Sequence, residues 1–281
     1  MTDADQFNGK SVLDDVISTD RRSGASCGIA FMAKASAPGR AKTRLVPPLT
    51  FAEAAELNTA FLKDVADNVL MAGQANERTT IVGYAAYGPP GSSDFFRQIL
   101  PASIGLIEAW RPNFGDCLFS TIREILERGH NSAVVLNADS PTLPTAFLVE
   151  TADVLARPGN RAVLGPSTDG GYYLLGLKCA HRRMFEDIAW STERVAEQTL
   201  ARAHEINLEV HMLPSWYDVD DICDLRRLDT ELRSLDAETP RRHALAPHYA
   251  MQTVKLIKQL ARTRDFNGPT ARVFEIGQIH A

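Results

Sequence analysis

Four cationic side chains, Lys34, Arg40, Lys42 and Arg44, fall within the stretch KASAPGRAKTRL. No acidic residue answers them anywhere from Arg21 to Ala52, although the chain carries a formal net charge of -5 at pH 7. Arginine offers a planar fork that matches phosphate oxygens, and lysine a mobile point charge. The stretch therefore suits a phosphate-bearing ligand, against the plainer reading as a solvated surface loop. Pro38-Gly39 marks a turn, and Lys42 and Arg44, two residues apart, would point the same way from a locally extended backbone. The G-K-[ST] ending of a Walker loop is absent.

Carboxylates complement these cations at three later positions. Asp139 stands in NADSP, where the apolar run SAVVL gives way to polar residues. It could cap the next helix or turn, or hold a hard divalent cation such as Mg2+ or Mn2+ that also meets phosphate. In WYDVDD, Asp218 and Asp220 alternate onto one face while Asp221 suits the cap of a helix from Ile222. Crowded carboxylates repel unless a cation offsets them, so Asp139, Asp218 and Asp220 form the candidate metal set. The third position is Asp169 in STDGGYYLLGL. Asp-Gly signals a hairpin turn, but Gly170 and Gly171 would also let backbone approach a ligand that Asp169 binds. Trp190 in IAWSTE could stack on a sugar or acceptor, with Ser191 beside it, or the segment could simply start a helix capped by Ser191 or Thr192.

The elements that must position these residues alternate. CGIAFMA, TTIVGYAA, IGLIEAW, SAVVL, RAVLG, YYLLGL and NLEVHML read as strands. In YYLLGL, strict alternation would set Tyr172, Leu174 and Gly176 against Tyr173, Leu175 and Leu177. A helix begins at the capping box Thr50/Glu53 and continues through Leu57, Phe61, Val65, Val69 and Leu70. Further helices are expected over about 117 to 128, 193 to 204, 221 to 234 and 247 to 262. Alternating strands and helices imply a mainly parallel sheet covered on both faces, whose ligands bind beyond the carboxyl ends of the strands. That rule places the Lys34–Arg44 loop and Asp139 at one edge.

Composition narrows the classes. A pI near 5.8 argues against a field that would gather nucleic acid or anionic membrane. Cys27, Cys117, Cys179 and Cys223 form no C-x-x-C pair, so neither a zinc site nor a disulfide framework suggests itself and a reduced cytoplasm is expected. Without a secretory apolar core or a long apolar run, the chain reads as soluble. No H-E-x-x-H or G-x-S-x-G pattern supports a zinc or serine hydrolase. The expected organisation is a loosely held leader over residues 1–25, a transferase domain over 26–235 and a helical extension over 236–281.

Five segments in order, FMAKASAPGRAKTRL, NADSPTLP, GPSTDGGYYLLGL, IAWSTERV and WYDVDDICDL, resemble a bacterial family of GT-A-fold transferases described as arsenosugar-biosynthesis-type glycosyltransferases. They are similar, more distantly, to phospholactate and molybdenum-cofactor guanylyltransferases. The resemblance implies a three-layer α/β/α, Rossmann-like nucleotide-diphospho-sugar transferase fold with a mostly parallel mixed sheet. It also implies a nucleotide-binding loop of Lys34, Gly39, Lys42, Thr43 and Arg44, with Lys42 and Arg44 gripping phosphate. Asp139 corresponds to the metal carboxylate, and Asp220, with Asp218, to a late acidic position. The substrate side falls to Asp169, Gly170, Gly171, Tyr172, Trp190 and Ser191. The implied chemistry is metal-dependent transfer from a nucleotide-sugar donor to a small acceptor, with Lys42, Arg44 and Asp139 catalytic. Nucleotidyl transfer releasing pyrophosphate, or a silent nucleotide-binding module, are the alternatives, and a homodimer is compatible with either.

Overall fold

The computed structural model describes residues 24–235 and 246–263. The expected leader up to residue 23, and residues 236–245 and 264–281 of the expected extension, lie outside the described residues. Seven strands form one sheet: β1 (Ser26–Lys34), β2 (Thr80–Gly88), β3 (Gly105–Glu108), β4 (Ser132–Leu136), β5 (Arg161–Pro166), β6 (Tyr172–Leu177) and β7 (Glu209–Met212), in the order β3-β2-β1-β4-β6-β5-β7. All neighbours are parallel except the two pairings of β6, which returns from β5 through the Asp-Gly turn. The mixed, mainly parallel sheet expected from the sequence is present.

Side-chain parity divides the core. Cys27, Ile29, Phe31 and Ala33 of β1 face one layer, made by α1 (Phe51–Ala75), α2 (Ser93–Ile99) and α4 (Thr145–Ala156). Ala30 faces the other, made by α3 (Phe114–Glu127) and α5 (Val195–Glu205). Such strands, buried on both faces, read as continuous apolar runs, as SAVVL does. The capping box at Thr50 and Glu53 is formed, with the Glu53 N–H donating to Thr50 Oγ1 at 3.2 Å and the Thr50 N–H to Glu53 Oε2 at 2.7 Å.

Alternation in β6 fails at one residue. Gly165 pairs with Leu174 and Pro166 with Tyr172, leaving Tyr173 as an extra residue on its strand. A bulge of this kind puts two residues opposite one and shifts the parity before it. Tyr173 therefore joins Leu174 on the α4 side, where its hydroxyl donates to Pro214 O at 2.9 Å, and Tyr172 packs with Leu175 and Leu177 on the other.

A third apolar cluster joins the outer face of α1 to Leu45, α6 (Ile222–Ser234) and α7 (Met251–Thr263). Asp64 of α1 fastens α7 by accepting from the Gln252 N–H (2.8 Å), the Thr253 N–H (2.8 Å) and the Thr253 hydroxyl (2.6 Å). Burial pushes this carboxyl from 3.8 up to about 6, against hydrogen bonds that favour the anion. A folded value above the unfolded one means that protonation favours the fold. The contribution is complete below pH 3.8 and is lost as pH rises through about 6. Urea unfolding across this window is expected to show wild-type stability falling by on the order of 2 kcal/mol more than that of Asp64→Asn.

Candidate functional site

Past the end of β1 the chain turns at Ala37–Arg40, with the Arg40 N–H donating to Ala37 O at 3.0 Å and Gly39 at φ 73°. That positive φ is where glycine is the default residue. The segment beyond is not extended. Lys42 is left-handed (φ 50°, ψ 39°), and Thr43–Leu45 form a 3-10 turn. The cause lies in Leu45, fully buried against Leu57 and Phe61 of α1. Pulling that residue inward curls the loop, so Lys42 and Arg44 part company. The Lys42 side chain is 6% exposed and that of Arg44 74%.

The ammonium of Lys42 lies 2.7 Å from Asp139 Oδ1, 2.6 Å from Val219 O and 3.6 Å from Asp220 Oδ1, with the Phe61 ring centroid 5.4 Å away. Arg44 Nη1 meets Asp220 Oδ2 at 3.3 Å from the solvent side. The two acidic segments are held together by main chain. The Val219 N–H donates to Asp139 O (2.9 Å) and the Ser140 hydroxyl to Tyr217 O (2.8 Å). Similarly, the Thr168 N–H donates to Trp216 O (3.0 Å), which ties the β5–β6 turn to the same segment. Burial first, then the neighbouring charges of Asp169, Asp220 and Asp139, push the Asp218 carboxyl up to about 6. Asp221 is occupied otherwise: its side chain accepts from the Cys223 and Asp224 N–H groups and caps α6, as expected.

A cleft of about 300 Å³ opens here, lined by Lys34, Arg40, Lys42, Thr43, Arg44, Asp139 and Asp220 among others. The basic loop and two of its expected acidic partners thus share one cleft. A larger hollow of about 720 Å³ between the end of α1 and α4 contains none of them. Gly39 and Asp218 are not among the lining residues, nor are Asp169, Gly170, Gly171, Tyr172, Trp190 and Ser191. Asp169 Oδ1 accepts from the Gly171 N–H at 2.9 Å inside its own turn. What Gly170 leaves room for is the Glu193 carbonyl, which a Cβ at 170 would overlap. Trp190 packs edge-on against Phe114 and Tyr172, with ring centroids 5.4 Å and 6.4 Å away, and Ser191 is exposed at φ 64°. The helix after them starts only at Val195, with neither Ser191 nor Thr192 as its cap.

Residues 70–192 match a family described as "Uncharacterized protein conserved in bacteria (DUF2064)". No curated protein matches the chain. Among solved structures, a protein of Desulfovibrio desulfuricans G20 provisionally described as a nucleotide-diphospho-sugar transferase is 26% identical, with a TM-score of 0.67 over 84% of this chain and 98% of its own. The chain has the nucleotide-diphospho-sugar transferase fold. A cytidylyltransferase of Leptospira borgpetersenii is 10% identical (TM-score 0.48; 92% and 100% covered), and CMP:2-keto-3-deoxy-manno-octonic acid synthetase complexed with CTP is also 10% identical (0.48; 75% and 99%).

In this nucleotide-diphospho-sugar transferase fold the cleft lies beyond the carboxyl ends of β1 and β4, at the edge where open α/β sheets bind ligands. Its carboxylates, Asp139 and Asp220, are hard oxygen donors of the kind Mg2+ and Mn2+ take, and both are part-exposed to the cleft. The donors fit such a cation, but they are not preassembled. Among the described residues no group of three His, Cys, Asp or Glu side chains is gathered to hold a metal. Asp139 and Asp220 instead share the Lys42 ammonium.

Sequence reasoning did not find Asn58, Phe61 or the Val219 carbonyl. Asn58 lies on the buried face of α1, and its side-chain amide donates to Lys34 O (3.1 Å) and Ser36 Oγ (2.8 Å), bracing the start of the loop. An asparagine among Ala54, Leu57 and Phe61 was the available signal: a buried polar group at such a position needs a partner. Nothing in the residue type could have announced the carbonyl.

Proposed function

We propose that the chain is a metal-dependent transferase that takes a nucleotide-activated donor, an NDP-sugar, and passes the glycosyl group to a small acceptor. The observation that carries the reading is the meeting of Lys42 and Arg44 with Asp139 and Asp220 at one cleft, across about a hundred to two hundred residues of sequence, beside Lys34, Arg40 and Thr43. The likeness to the Desulfovibrio protein over 84% of the chain supports it. Mg2+ or Mn2+, when bound by Asp139 and Asp220 with Asp218 behind them, supplies positive charge to the diphosphate. Arg44, Lys34 and Arg40 meet phosphate oxygens from the open side of the cleft, and Lys42 from beneath. Charge developing on the departing NDP is thereby met where it appears. Asp169, Gly170 and Gly171 of the β5–β6 turn and the Tyr172–Trp190 aromatic pair, with Ser191 beside it, lie outside the lining of this cleft and form the proposed side for the sugar or acceptor.

Nucleotidyl transfer, with NTP and a phosphorylated acceptor giving pyrophosphate, is the second reading. What favours it is that the two carboxylates that meet at Lys42, Asp139 and Asp220, come from segments remote in sequence. Incubation with Mg2+ or Mn2+ and a panel of NTPs and NDP-sugars separates the readings: free NDP with an acceptor indicates glycosyl transfer, pyrophosphate nucleotidyl transfer, and binding without either a silent module. No described helix is long and apolar enough to cross a membrane.

Arg44→Ala removes an exposed guanidinium that pairs with Asp220. Nucleotide affinity is expected to fall about tenfold, with unfolding unchanged because exposed pairs contribute about 0–1 kcal/mol. Calorimetric titration checks the first, and unaltered affinity would remove Arg44 from the site.

A further inference from the structure

Lys42 has a geometry unlike that of a phosphate-binding lysine waiting for its ligand. An ammonium carries three N–H donors. Three acceptors surround this one: Val219 O at 2.6 Å, Asp139 Oδ1 at 2.7 Å and Asp220 Oδ1 at 3.6 Å. Phe61, fully buried, lies on another side, and only 6% of the side chain is exposed. Two of its donors have acceptors at hydrogen-bond distance and the remaining one has the Asp220 carboxylate at ion-pair range, so a phosphate oxygen must compete with Asp220 for it. Yet the carboxylates that hold it are 38% and 43% exposed, so an ion entering the cleft can reach Asp139 and Asp220 from the side opposite Lys42. The residue also sits at φ 50°, a conformation uncommon for a non-glycine and enriched where function constrains the backbone.

We propose that Lys42 is the built-in counter-ion of the Asp139/Asp220 pair, that it competes with a divalent cation for those carboxylates, and that on losing them it turns to nucleotide phosphate. The proposal rests on the reading of the cleft as a cation-assisted nucleotide site and states how that site is regulated. Until a cation arrives, Lys42 offsets one of the two carboxylate charges and the cleft is short of one phosphate ligand. Its flexible four-carbon stem lets the charge move without moving the backbone. The exchange couples the two ligands, since whatever releases Lys42 from the carboxylates raises affinity for phosphate, and by linkage the nucleotide raises affinity for the cation.

The test uses the full chain without nucleotide. Free Mn2+ is followed by electron paramagnetic resonance during titration of wild type, Lys42→Met and Lys34→Met. Removal of the competitor is expected to tighten Mn2+ binding about tenfold in Lys42→Met. Lys34→Met, which deletes a charge lining the same cleft, is expected to change it less than about threefold. On the wild type, lysine methylation is mapped by mass spectrometry: Lys42 is expected to be protected alone and to become reactive at saturating Mn2+. That arm stands even if Lys42→Met does not fold. Equal Mn2+ affinity in wild type and Lys42→Met, or tighter binding with Lys42 still protected, overturns the exchange and leaves Lys42 a structural counter-ion. Failure of both proteins to bind Mn2+ overturns the cation-assisted reading as well.

Discussion

Asp139→Asn is expected to lower metal-dependent turnover by about 10²–10³-fold while leaving the thermal midpoint within a few degrees of wild type. The substitution keeps the shape of the side chain and deletes the charge that faces Lys42 at 2.7 Å. The joining of the acidic segments does not use that charge. The link between the acidic segments runs through the main-chain oxygen of Asp139, which receives the Val219 N–H, and through Ser140 and Tyr217. Asn137, two residues before Asp139, is held by its own N–H to Tyr173 O at 2.8 Å. Initial rates with Mg2+ or Mn2+, set beside a melting curve, check both halves. Turnover within threefold of wild type would take Asp139 out of the chemistry. Loss of the cooperative transition would make it a structural residue.

Gly170→Ala is expected to cost on the order of 3 kcal/mol, which for a domain of this size lowers the thermal midpoint by roughly 6–12 °C. Gly170 has φ 90°, and a Cβ there would collide with the backbone of Glu193, which cannot swing aside as a side-chain tip can. The Gly170 carbonyl also accepts from the Ala196 N–H at 2.9 Å, at the start of α5, so the strain passes into the segment that carries Trp190. Gly171→Ala makes the contrast. Its Cβ would lie 3.2 Å from Asp169 Oδ1, the end of a mobile side chain, and the cost is expected to stay within about 1 kcal/mol. Denaturant unfolding of the two variants decides the matter. Equal stabilities would mean that the turn tolerates a side chain at 170.

The sheet was legible because its strands are apolar runs closed by turn residues, and α1 because a capping box precedes a helical period. Two helices escaped. In α4, TAFLVETADVLA, residues on several sides are buried, Phe147, Leu148, Thr151, Ala152, Val154 and Leu155, so little polar contrast reveals a 3.6-residue period. α2, seven residues long, is too short to repeat any period convincingly. In the cleft, the charges themselves were legible, and so was the cap formed by Asp221. The inward turn of Lys42 and the outward turn of Arg44 were not, because they follow from the burial of Leu45 against a helix that begins six residues later.

From residue order alone came the inventory: which segments are strands, which charges stand at strand ends, and that an acidic chain must meet any anion through a local basic patch. Those are properties of near neighbours, where spacing and side-chain type act directly. Tertiary structure decided who pairs with whom, through main-chain bonds such as that from the Val219 N–H to Asp139 O and through the bulge at Tyr173. Backbone amides and carbonyls are common to every residue type, so their long-range pairing leaves no mark in the sequence, yet here it brings two carboxylates to one ammonium.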